Sequence, residues 1–154
     1  MKRTGGFTYI ELIIATFILA ILAAAVVPVA EVTAKRAKEV ELRRDLRIIR
    51  DAIDNFKQSV DLGLIGGSDV ELGSEGYPKD LEMLVEGVSQ VGAVDKKLKF
   101  LRRIPMDPMT HSVEWGLRSY QDEPDSMSWG GQNVYDVYTT SRETALDGTN
   151  YRDW

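Results

Sequence analysis

Between Phe7 and Ala30 the chain carries a single charged residue, Glu11, and the 19 residues from Leu12 to Ala30 carry none. As a helix those residues span roughly 28 Å, close to the hydrocarbon thickness of a bilayer. A segment this apolar has to be covered, so the fold must supply either a membrane or a partner. Lys2 and Arg3 precede it, and the positive-inside rule leaves them in the cytoplasm and everything after Ala30 on the far side. A cleaved secretory signal is the alternative, with Pro28-Val29-Ala30 or Val32-Thr33-Ala34 as the small-residue site. The run is longer than the usual core of such a signal, and Glu11 interrupts its start.

Helical patterning continues past the apolar run. Leu42, Leu46, Ile49, Ile53, Phe56 and Val60 recur at spacings of 4, 3, 4, 3 and 4, a two-position heptad stripe. No proline or glycine falls between Val29 and Leu62, and Gly63 is a natural stop. The pattern predicts one helix from about Phe7 to Leu62, with Pro28 as its one flaw. Fewer than three heptads make a weak free coiled coil, so the stripe is expected to pack against the chain's own later part.

Residues 63–154 hold 9 basic and 16 acidic side chains. Glycine-rich 63–76 reads as a loop, Tyr77–Val85 as a short helix ended by Gly87, and Lys96–Arg103 as a basic connector packing on the long helix. Closely spaced prolines exclude regular structure at Ile104-Pro105-Met106-Asp107-Pro108. The period then becomes two at Val113, Trp115 and Leu117, and Val134–Thr139 is β-branched and aromatic, giving two antiparallel strands joined by the long loop Gln121–Asn133. The end, Leu146–Trp154, reads as a turn with a short edge strand. The fold class is therefore α+β: a long N-terminal helix and a small head with a short helix and an antiparallel sheet.

Composition narrows function by exclusion. The net charge of −5 argues against a nucleic-acid partner. With no cysteine and one histidine, His111, disulfides, thiolate and multi-histidine metal sites and thiol catalysis are out. No G-x-S-x-G or P-loop is present, and His111, beside Asp107 and Thr110, reads as a surface or structural residue. A membrane-anchored periplasmic enzyme is the weaker reading, and none of these residues assembles a catalytic set.

Gly6-Phe7-Thr8-Tyr9-Ile10-Glu11-Leu12 resembles the class III signal of type IV pilins and pseudopilins: a short basic leader ending in glycine, then phenylalanine, glutamate four residues on, and an apolar helix. Pro28 falls where many such proteins carry proline. Tyr77-Pro78 with Leu81, Leu84 and Val85, then Ile104-Pro105-x-Asp107-Pro108, the Val134–Ser141 strand and Gly148-x-x-Tyr151-x-Asp153-Trp154 are similar to the major pseudopilin of type II secretion. The resemblance implies a leader (1–6), a membrane and assembly helix (7–30), its periplasmic amphipathic continuation (31–62) and a periplasmic head (63–154). It implies cleavage between Gly6 and Phe7 by a prepilin peptidase, N-methylation of Phe7, and polymerisation dependent on Phe7, Glu11 and Pro28. The expected partners are other copies of the chain, minor pseudopilins, an inner-membrane assembly platform and a secretin channel, with export of folded proteins as the outcome. A type IV pilus or competence filament is the alternative. No cofactor is required. Major pseudopilins commonly bind calcium between their last strands, but here that loop, Gln121–Gly131, is longer and differently composed. Asp122, Glu123 and Asp125 supply the oxygens calcium prefers, and Asp122 and Asp125 are the calcium candidates.

Overall fold

The computed structural model describes residues 6–93 and 96–154; the side chains at 25–28 and 68 fall outside that description. The chain divides into two compact units, Met1–Ala37 and Lys38–Trp154.

Helix α1 runs Tyr9–Asp61, 53 residues, without interruption through position 28. Its start is a reciprocal cap. The Glu11 amide donates to Thr8 Oγ1 at 3.3 Å, while the Thr8 amide and hydroxyl both donate to Glu11 Oε2 at 3.4 Å. Thr-x-x-Glu closed on itself is a capping box, and it satisfies donors that the first helical turn leaves open. At the other end Leu64 N bonds Ser59 O and Gly63 N bonds Val60 O, each at 2.9 Å. That pair of bonds is a Schellman motif, and it needs the left-handed residue that Gly63 supplies at φ 70°.

Among the described residues of the first unit, none of the apolar run is buried. The window of α1 long and apolar enough to cross a membrane is wholly unburied, with Phe7, Ile10, Leu12, Phe17, Leu19 and Leu22 all exposed.

In the second unit the stripe is the core. Leu42, Leu46, Ile49, Ile53 and Phe56 are buried and Val60 half-buried, and Ala52 joins them from the same side. They pack against Leu84, Leu101, Trp115, Val134, Val137 and Tyr151 from the rest of the unit. Helix α2, Leu81–Glu86, begins where Asp80 Oδ1 accepts from Met83 N at 2.8 Å, which is the N-cap bond of a short helix. Strands β1 (Val88–Ser89) and β2 (Lys97–Leu98) form one antiparallel pair, and β3 (Gly116–Arg118) and β4 (Asp136–Tyr138) another, with Gly116 opposite Tyr138. A Cβ at Gly116 would meet the Tyr138 ring at 2.3–2.7 Å. Only glycine lets that ring lie across the strand.

Five details differ from the sequence-based expectation. Helix α2 starts at Leu81 rather than Tyr77, because Asp80 is extended and supplies the cap. The head carries two two-stranded sheets rather than one. Lys96–Arg103 is not merely a connector: Lys97 and Leu98 are β2, while Phe100 does reach the long helix, edge-on to Phe56 at 5.5 Å. Leu84 O holds both Phe100 N and Leu101 N at 2.9 Å, which anchors that segment to α2. Residues 113–115 stay outside β3, because Trp115 turns inward and donates its indole N–H to Pro105 O at 3.0 Å. The chain end has a single bridge, Thr144 to Asn150, followed by a 3-10 turn at Tyr151–Asp153, instead of an edge strand.

Candidate functional site

Leader residues 1–5 lie outside the described residues, and so does the side chain of Pro28. Gly6 and Phe7 are described. Both precede α1 and are exposed, and no atom lies within 4 Å of a Cβ built on Gly6. The Gly6–Phe7 peptide is thus non-helical and open, the state in which an enzyme can approach a backbone. Glu11 is four residues on, at the first turn, and its carboxylate is engaged with Thr8. The cost of a carboxylate in an apolar helix points toward a cationic partner, yet the partner present is a neutral cap. Its sequence signal is the T-x-x-E pattern at Thr8–Glu11.

The 119–133 loop is braced from inside. Asp122 Oδ2 accepts from Ser119 N at 2.7 Å and Gly130 N at 3.0 Å, and these two amides hold its carboxyl below the usual carboxylate range. Arg118 Nε donates to Ser126 O at 2.9 Å, and the Trp129 indole to Asn133 O at 2.8 Å. Asp125 and Glu123 are exposed. Among the described residues no three acidic or histidine side chains gather as metal ligands. The Asp122 carboxylate thus already serves the loop's own amides.

Asp107 is fully buried, its carboxylate accepting from Met109 N at 2.8 Å and from Thr139 Oγ1. His111 adopts a left-handed φ of 56° and bonds Asp107 through backbone only, His111 N to Asp107 O at 2.8 Å. The pair is a turn brace linking the Pro105–Pro108 segment to the end of β4.

Two ionic clusters fasten the rest of the unit to its stretch of α1. Arg50 Nε meets Asp136 Oδ1 at 2.7 Å and Nη2 reaches Val137 O at 3.1 Å; Arg118, nearly buried, meets the other Asp136 oxygen at 3.4 Å. Glu39 Oε1 accepts from Tyr151 Oη at 3.0 Å and Leu146 N at 2.8 Å. Arg43 lies 3.8 Å from the Trp154 ring centre and 3.6 Å from Asp147.

Comparison with family models, with curated proteins and with solved structures finds no match for this chain.

Proposed function

We propose that this chain is a structural subunit of a type II secretion pseudopilus, held in the inner membrane by α1 until it polymerises and helps drive export of folded proteins. One observation carries the reading. A single helix is apolar and uncovered over its N-terminal stretch, capped by Glu11 beside an open Gly6–Phe7 bond, yet from Leu42 onward buries one face as the core of a folded unit. Such a helix suits a subunit that trades lipid for neighbouring helices while its folded part stays intact. The cytoplasmic N-terminus, periplasmic head, leader cleavage and Phe7 methylation belong to the same reading, as do the minor pseudopilins, assembly platform and secretin as partners. A structural role, with no catalysis, follows from it.

Mass spectrometry of the membrane-extracted protein should find an N-terminus at Phe7, one methyl group heavier than the unmodified residue. A start at Glu31 or Lys35 would identify an ordinary signal peptide and sink the proposal. A deletion strain should lose export of folded proteins; loss of motility or DNA uptake with export intact would move the subunit to a pilus or competence filament.

A further inference from the structure

Arg43, Arg47 and Arg50 lie along one side of α1 at spacings of four and three, so they share a face. With Leu46, Asp51 and Trp154 they line a recess of about 380 Å³ within the second unit. Its apolar contribution comes from Leu46 and from the Trp154 ring, against which Arg43 is stacked. Arg43 and Arg50 have acidic partners, Asp147 and Asp136. Arg47 is exposed, and among the described residues no hydrogen bond or ion pair engages it. Asp51 also lines the recess, and with Asp147 and Asp136 it balances the three arginines in number, which leaves Arg47 as the guanidinium not already held by a carboxylate. The site therefore presents a free, planar, bidentate cation beside an indole wall, which suits a carboxylate side chain.

The matching groups are on the same chain and unused within it. Glu123 and Asp125 are exposed, and neither carboxylate is engaged by any described residue. The loop that displays them is held by Asp122 and Arg118, so little ordering is left to be lost on docking. We infer that the Arg43–Arg47–Arg50 recess receives the Glu123–Asp125 loop of a second copy of this chain, with Arg47 as the central contact. Recess and loop are different patches, so the contact is heterologous; it leaves a free recess at one end and a free loop at the other and can propagate into a filament. The inference rests on the proposed self-assembly and names one contact that would guide it.

The absence of cysteine makes the test direct, since any engineered pair is unique. The full-length chain carrying Arg47→Cys and Asp125→Cys, expressed in its own cell and oxidised, should give disulfide-linked dimers, trimers and longer ladders, while either single variant gives no ladder. A ladder that stops at dimers would mean a closed two-fold contact and overturn the propagating one. Arg47→Glu should lower the yield of sedimentable filaments about tenfold, the change that ~1.4 kcal/mol makes in an association constant, and adding Asp125→Arg should restore it. Normal filaments without the 47–125 crosslink would overturn this contact and leave the subunit reading standing. An unaltered chain that forms no sedimentable assembly would overturn both.

Discussion

The Tyr151 hydroxyl donates to Glu39 across 112 positions of sequence, 3.0 Å from Oε1, and the same oxygen accepts the Leu146 amide. One carboxylate on α1 therefore holds both ends of the final turn. Tyr151 is fully buried and edge-on to Trp154 at 5.0 Å, so the bond also positions one wall of the arginine recess. Burial pushes the Tyr151 phenol up to about 12, with the Glu39 carboxylate adding to the shift.

A phenol whose pKa is raised by folding favours the native state while it stays protonated. That contribution is complete below pH ~10, its unfolded value, and is lost as pH rises toward about 12. Tyr151→Phe should cost about 1.5 kcal/mol at pH 7, since it removes a hydrogen bond to a charged group. The variant should also lose less stability than the parent between pH 10 and 12. Thermal melts of the soluble fragment at pH 7, 10 and 11.5 measure both effects; identical alkaline slopes would show that Tyr151 does not titrate with unfolding.

The seam sets the stability of residues 31–154. A fragment without the first 30 residues keeps the whole core of the second unit and should be soluble, monomeric and cooperative in melting. Leu46→Ala should cost about 2–5 kcal/mol through the cavity it leaves. Leu46→Asp or Ile53→Asp should cost at least as much, because a charge would enter fully packed surroundings. Val60, half-buried at the end of α1, should tolerate the same change with a smaller loss. Urea titrations rank the four variants, and equal midpoints would remove the seam from the core.

How far such features can be read from residues alone depends on their range. The stripe from Leu42 to Val60 is legible because a 3.5-residue period sustained over six positions is specific to a helix with one buried face. The short helix and the long β3–β4 loop are readable too, from Gly87 and the glycines near 130, but the Asp80 cap is not, and the pattern alone starts that helix at Tyr77 rather than Leu81. The β1–β2 pair is not. Two residues per strand carry no period, and the lysines at 96, 97 and 99 suggest a surface connector. The recess is hidden for another reason: Trp154 comes back to Arg43 over more than a hundred residues, and no local pattern encodes that return. Glu11 carries two local signals that compete. Its charge within an apolar run suggests intersubunit pairing, while Thr8 three residues earlier marks a cap, and only the geometry shows the second in place.

Calcium should prove dispensable for the 121–131 loop. Its closure uses the Asp122 carboxylate and two backbone amides, and the lowered pKa means that this bracing is in place above the ordinary carboxylate range and is lost as acid protonates Asp122. The expected result is an unchanged melting temperature with calcium or chelator, faster amide exchange at Ser119 and Gly130 in Asp122→Ala, and no such change in Asp125→Ala. A calcium-dependent rise in melting temperature that needs both Asp122 and Asp125 would reverse this assignment.

Glu11 has two separable properties, and two substitutions divide them. As the last residue of the Thr8–Glu11 capping box it accepts from the Thr8 amide and hydroxyl, a role that glutamine also fills. As a charge in an apolar helix it costs on the order of 2.5–3.5 kcal/mol at a bilayer centre and less near an end, and it can repay that cost by attracting the amine that cleavage creates on Phe7. Glu11→Gln keeps the cap and removes the charge; Glu11→Leu removes both. Neither should hinder membrane insertion, and cleavage after Gly6 should persist in both, because the open Gly6–Phe7 bond lies outside the helix. If Glu11 recruits the Phe7 amine of the neighbouring subunit, filament yield and export should collapse in Gln and Leu alike. If the cap is what matters, Gln should assemble normally, Leu should fail, and Thr8→Val should fail with it. Quantifying sedimentable filaments and exported protein in the three strains decides between them, and normal assembly in Glu11→Leu would deprive Glu11 of any part in polymerisation.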